Sequence, residues 1–196
     1  MEQLRRQATA HPGDCGQTKL DSGVIVDKDS VPVEAIGAIV ELRAWIAVLI
    51  SLSSSPLLKS LRAVRADLAA IIRRIKATGT PRLSQESLER IDAAVEGLEA
   101  ELTAQTPNMR VSELPTSAFA EVAYAVCLRA ERRLAELNQL NNIADAMLST
   151  EGGKEAAGAI ALAYLNRLSD LLRLLEASCG SLSVPSTAIA TIGENG

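Results

Sequence analysis

The chain has 196 residues, enough for one domain with a sizeable core. Hydrophobic residues make up 47% but aromatics only 2%, so the core has to be assembled from Ala, Leu, Ile and Val. That composition suits closely packed helices and argues against a sheet protein, which draws on aromatic and β-branched residues. A net charge of -4 with a pI near 5.2 excludes the basic footprint of a general nucleic-acid binder.

Residues 1–32 are rich in Gly, Asp, Lys and Thr and lack helical periodicity, which predicts a loop segment. From Val33 the pattern turns helical, with Val33, Ile36, Val40, Ala44 and Ala47 at roughly helical spacing until Ser53-Ser54-Ser55-Pro56 breaks it after Leu52. The most apolar run, Ala44 to Ile50, is too short to span a bilayer and follows Glu41 and Arg43, so the expectation is a soluble protein with no membrane partner. A second helix, Pro56 to Ala77, carries Leu61, Val64, Leu68, Ile71 and Ile72 on one stripe and stops at Thr78-Gly79-Thr80-Pro81. Ser84 is placed to cap a third, Gln85 to Thr103, with Leu88, Ile91, Val95, Leu98 and Leu102 inward. A connector containing Pro107 and Pro115 leads to a fourth, Ser117 to Asn141, and the fifth, Ala156 to Ser178, follows a break at Glu151-Gly152-Gly153. The organisation expected is therefore an N-terminal segment over 1–32, a helical bundle over 33–179 and a Ser/Thr/Gly-rich flexible tail over 180–196. The simplest architecture is an all-α, up-and-down five-helix bundle. Cys15, Cys127 and Cys179 are odd in number and lack metal spacing; with no secretory leader read ahead of them, reduced thiols in a cytoplasm are the expectation.

Three stretches carry possible chemistry. On the fifth helix Asn166, Asp170 and Arg173 are spaced i, i+4, i+7, which aligns an amide, a carboxylate and a guanidinium on one face, while Leu165, Leu168, Leu172 and Leu175 belong inside. On the fourth, Arg129, Arg132, Arg133 and Glu136 lie close together; they make either a solvent-facing charge network or a set of forked donors for phosphate oxygens. Near the N-terminus Gly13-Asp14-Cys15-Gly16-Gln17-Thr18 is either an ordinary turn or a phosphate-facing loop, in which glycines turn backbone N–H groups outward and Thr18 adds a hydroxyl. His11 reads as a lone surface residue and makes no metal site.

In this order, Gly13-Asp14-x-Gly16-x-Thr18, Lys28-Asp29, Val33-Glu34-Ala35-x-Gly37, Arg129-Ala130-Glu131-Arg132 and Tyr164-Leu165-Asn166-Arg167-Leu168-Ser169-Asp170 resemble the signature of the PduO-type ATP:cob(I)alamin adenosyltransferases. The resemblance covers Gly13 to Leu175. It implies a five-helix bundle, usually trimeric with sites between subunits, that transfers the 5′-adenosyl group of ATP to the cobalt of cob(I)alamin and releases triphosphate, with Mg²⁺ balancing phosphate charge. It assigns Gly13, Thr18, Lys28, Arg129, Glu131, Arg132 and Asn166 to ATP. It assigns no side-chain nucleophile, because the reduced corrinoid is the nucleophile itself. For the corrinoid pocket the counterparts are Ser112, in Ser112-Glu113-Leu114-Pro115, and Phe119; the family's own aromatic and glycines are missing there. The family's Asp at the position of Val40 and its arginines at Tyr124 and Leu128 are also replaced, and the connector from Asn138 to Lys154 is longer than usual. In active members that Asp pairs across the subunit interface with the arginine at the Tyr124 position. The paired loss implies a repacked interface, since replacing both partners of a buried ion pair by apolar groups can be neutral where losing one is costly. The alternative to an active transferase is a catalytically impaired relative, serving as a nucleotide- or corrinoid-binding, regulatory or scaffold subunit beside an active paralogue or a cobalamin-dependent enzyme.

Overall fold

The structure, a computed structural model, describes residues 13–52, 56–77, 83–104, 115–147 and 155–181. Helix α1 spans Val31–Leu52, α2 Pro56–Lys76, α3 Gln85–Ala104, α4 Pro115–Met147 and α5 Glu155–Ser181. The helices pack in the order α2, α1, α4, α5, α3, and a slighter α2–α3 contact closes the ring. Antiparallel packing of α1 and α4 shows in the paired side chains: Glu34 meets Arg133, Glu41 meets Arg129, and Trp45 stacks on Phe119. Ser117 at the start of α4 donates to the Glu176 carbonyl near the end of α5, so that pair is antiparallel as well. The all-α bundle read from the leucine and alanine stripes is the fold observed. Its interior is aliphatic, with Ile39, Leu42, Ile46, Leu61, Leu68, Leu98, Leu165, Leu168, Leu171 and Leu172 fully enclosed.

Ahead of α1 the chain forms a hairpin where the sequence predicts only a loop. Strand β1, Gln17–Lys19, pairs antiparallel with β2, Ile25–Asp27, with Thr18 opposite Val26. Strands of three residues are too short to show a two-residue period, and Ile25 faces solvent. The turn rests on Gly23, whose φ of 90° favours glycine, and the Ser22 N–H donates to the Lys76 carbonyl at the end of α2. Ser30 then accepts the first helical bond of α1 from the Glu34 N–H. The fourth helix is also longer than its periodicity indicates. It runs to Met147, so part of the long connector expected from Asn138 is helical.

Helix α1 is apolar nearly all round and, by length and composition alone, is long enough to cross a bilayer, which the short run Ala44 to Ile50 understates. Ala35, Ala38, Ile39, Leu42, Ile46 and Leu49 are nevertheless buried between α2 and α4. The opposite side leaves Val40 47% exposed.

One buried polar cluster interrupts the aliphatic interior. The Asp67 carboxylate on α2 accepts from Tyr164 OH on α5 at 2.9 Å, from Ser87 Oγ on α3 at 3.0 Å and from Arg90 Nη2 on α3 at 2.9 Å. Among the described residues no buried side-chain nitrogen or oxygen is left unpaired. Burial, followed by the Asp67 charge, pushes the Tyr164 hydroxyl well above its ordinary value near 10. Burial, followed by Glu131 and Asp170, pushes the Cys127 thiol well above 9. Both groups are held protonated when folded, so their contribution is complete below the unfolded pKa values and is lost as pH rises above them. Stability should be level through neutral pH and fall beyond about pH 8.5–10, by up to ~1.4 kcal/mol per pH unit for each proton released only on unfolding. Urea titrations at pH 7, 9, 10 and 11 check this, and Tyr164→Phe should flatten the upper part of the fall.

Candidate active site

At the base of the hairpin, the Lys28 Nζ donates to the Gly13 carbonyl at 2.7 Å, and the Lys28 N–H donates to the Gly16 carbonyl at 2.8 Å. The Gly16 N–H closes the turn onto Gly13 at 3.2 Å. Gly13 has φ of 98°, and a Cβ added there would sit 3.3 Å from both Lys28 Nζ and the Gln17 carbonyl oxygen. Only glycine therefore combines this backbone with room for the amine. Gly13, Thr18 and Lys28 are thus brought into one small structure, in which the Gly16 and Lys28 amides are spent on carbonyls and the Lys28 ammonium is the exposed cation. That is chemistry suited to an anion.

The α4 residues divide between two flanks. Arg129 pairs with Glu41 of α1, and Arg133 bridges Glu34 of α1 at 3.7 Å and Glu136 of its own helix at 3.0 Å. At about 100° per residue, Glu131 leaves α4 roughly opposite Arg129. It is half-buried, and its charge acts with that of Asp170 on Cys127, whose thiol donates to the Leu165 carbonyl at 3.3 Å. Glu131 therefore belongs to the α4–α5 seam and Arg129 to the α1–α4 seam, while Arg132 is exposed. The expected cluster of Arg129, Arg132, Arg133 and Glu136 is in part a ladder of ion pairs to α1, in which Glu41 and Glu34 are the partners that sequence reasoning missed.

On α5 the Tyr-Leu-Asn-Arg-Leu-Ser-Asp string separates into two groups. Tyr164, Leu165, Leu168 and Ser169 are buried, whereas Asn166, Arg167 and Asp170 are exposed. Arg167 Nε donates to Asp92 Oδ1 on α3 at 2.9 Å, and its Nη1 donates to Asn166 Oδ1 at 3.1 Å. Ser169 Oγ donates to the Asn166 carbonyl at 2.7 Å. Phe119 is partly buried against the core, its ring stacked on Trp45 with centroids 5.9 Å apart. Ser112 lies outside the described residues. Val40 is exposed and Tyr124 and Leu128 are half-buried. Among the described residues no three His, Cys, Asp or Glu side chains gather as a metal-ion cage.

Among the described residues, strands β1 and β2 make no extensive contact with α4 or α5 of their own protomer. Lys28 and Gly13 stand together, while Arg129 lies on the α1–α4 flank, Glu131 on the α4–α5 flank and Asn166 on the exposed side of α5. Cross-strand Gln17–Asp27 and capping Ser30–Asp27 hydrogen bonds hold the Lys28–Gly13 pair to the start of α1.

A ring of five helices with a short N-terminal hairpin, carrying exposed polar groups at these stations, defines an all-α helical-bundle protein. The family profile described as cobalamin adenosyltransferase matches residues 8–179, and the chain belongs to that family. It is 31% identical over 169 residues to a cobalamin adenosyltransferase of Cupriavidus metallidurans, covering 83% of this chain and 82% of that protein. It is 30% identical over 174 residues to the corrinoid adenosyltransferase of Bacillus subtilis, covering 81% and 78%. A variant of the PduO-type ATP:corrinoid adenosyltransferase from Lactobacillus reuteri, solved with cobalamin and ATP, superimposes with a TM-score of 0.66 at 19% identity, covering 85% of this chain and 88% of that one. Another variant of that enzyme, solved with ATP, superimposes with a TM-score of 0.67 at 20% identity, covering 86% and 91%.

Proposed function

We propose that this protein transfers the 5′-adenosyl group of ATP to the cobalt of a reduced corrinoid. In that reaction the Co(I) electron pair attacks C5′, a cobalt–carbon bond forms, the C5′–O bond breaks, and triphosphate leaves; Mg²⁺ would balance its charge. The corrinoid is the nucleophile, so the work left to the protein is binding, orientation and charge compensation. The observation that carries this reading is the near full-length family match, in which the motif stations hold a lysine folded onto a glycine turn and an exposed asparagine on α5. Lys28, Gly13 and Thr18 would take phosphate oxygens, Arg129 and Arg132 would add guanidinium donors, and Asn166 would meet a polar atom of the nucleotide. Glu41 has to release Arg129 for that contact. Phe119 and Ser112 are the candidates beside the corrinoid.

The functional unit in this reading is a homotrimer with sites between subunits. One observation supports it: the outward face of α1 carries an exposed apolar side chain at Val40. Exposed Cys15 and buried Cys127, both free, suit a reducing cytoplasm.

The test is calorimetric titration with ATP and absorbance titration with cob(II)alamin, followed by an assay of adenosylcobalamin formation under reducing conditions. Both ligands should bind and product should form. Lys28→Ala should weaken ATP about 10–100-fold, the worth of one charge-assisted contact. Binding of ATP without turnover would assign the chain to the non-catalytic alternative, and binding of neither ligand would leave it a scaffold.

A further inference from the structure

Asn166 has a neighbour that determines what its amide can recognise. A guanidinium carries donors only, so the atom of Asn166 that faces Arg167 Nη1 at 3.1 Å has to be Oδ1. The amide nitrogen, with its two hydrogens, is then the end left for a ligand. This contact does not come automatically from the helix, because adjacent residues diverge by about 100°. Arg167 is restrained from the other side by Asp92 of α3, which accepts from its Nε at 2.9 Å. One planar fork thus serves two acceptors at once, which a lysine ammonium on a flexible stem does not do in a fixed plane. The helix beneath is anchored independently, since Tyr164, two residues before Asn166, is tied to Asp67.

We propose that Asp92 and Arg167 form a positioning relay that holds the Asn166 amide with its N–H₂ outward, making this station a reader of hydrogen-bond acceptors. The matching ligand atom is an acceptor of a nucleotide: a sugar or phosphate oxygen, or an unprotonated ring nitrogen of the base. The inference rests on the nucleotide-binding reading above and adds to it two residues, Asp92 and Arg167, that need not touch the ligand.

The experiment is a set of ATP titrations by calorimetry on the full chain, with a thermal melt for each variant. Wild type, Asn166→Ala, Asn166→Asp, Arg167→Lys, Asp92→Asn and the double variant Asn166→Ala/Arg167→Lys are compared. Arg167→Lys and Asp92→Asn should each weaken ATP by roughly 3–10-fold, the worth of one hydrogen bond. Arg167→Lys should cause no further loss when Asn166 is already alanine. Asn166→Asp, which keeps the acceptors and loses the outward donors, should bind no better than Asn166→Ala. An equal loss from Arg167→Lys in both backgrounds would make Arg167 purely structural and overturn the proposal, as would wild-type affinity in Asn166→Asp. Failure of the wild type to bind ATP would overturn the nucleotide reading, and this proposal with it; that outcome is read from the wild-type titration alone.

Discussion

Asp67→Ala is expected to lower the unfolding free energy by about 2–5 kcal/mol, a large share of the ~5–15 kcal/mol available to a typical domain. Asp67 on α2 accepts from Ser87 and Arg90 of α3 and from Tyr164 of α5, so it ties three helices together, and its side chain is only 12% exposed. Deleting it leaves the Tyr164 hydroxyl without that partner in an enclosed site, at about 1–3 kcal/mol, and leaves Ser87 Oγ with Ser84 Oγ at 3.2 Å as its remaining hydroxyl partner. Arg90 adds less, because its side chain is 44% exposed and can rehydrate. Tyr164→Phe removes one donor and leaves Asp67 its other two, so it should cost only about 1–2 kcal/mol. Urea unfolding followed by circular dichroism at one fixed protein concentration measures both, and the ordering is the sharper test. An alanine variant within about 0.5 kcal/mol of wild type, the range of ordinary surface substitutions, would mean that the cluster ties nothing together.

The same cluster shows what sequence can and cannot disclose. The five helices were legible because each repeats an aliphatic stripe at 3.6-residue spacing, and Gly, Pro and Ser mark where most of them stop. Asp67 was legible in principle, since it lies within the stripe of Val64, Leu68 and Ile71, where a carboxylate demands a partner. Which partner it finds depends on the ring order of helices, and no periodicity carries that. The string around Asn166 was recognisable as a motif, yet its letters do not separate Tyr164, which locks the helix down, from Asn166, which faces out. In the arginine cluster, nearness along the chain concealed a division: residues 129 and 131 sit on opposite flanks of α4, and α1 supplies Glu41 and Glu34 from far earlier in the chain. The hairpin escaped because three-residue strands paired only with each other leave no periodic trace.

Val40→Asp should abolish self-association at micromolar concentration, and adding Tyr124→Arg should restore it. Val40 lies on the uncovered side of α1, 47% exposed in the protomer, and is expected to face Tyr124 of a neighbouring copy. A carboxylate placed there loses its water on assembly with no cation to meet it, and an uncompensated buried charge typically costs about 3–5 kcal/mol. In the proposed cyclic trimer three such contacts would close the ring, so the cost would recur at each one and association should fall by well over 100-fold. Supplying the guanidinium from position 124 replaces an apolar contact by an ion pair, an exchange that is often close to neutral. Analytical ultracentrifugation of wild type, the two single variants and the double variant reads the cycle directly. The decisive feature is its sign: each single change is disruptive and the pair is not, which no additive surface effect produces. If Val40→Asp assembles as well as wild type, the outward face of α1 does not form the subunit contact. In that case the proposed site between subunits would require some other arrangement of copies.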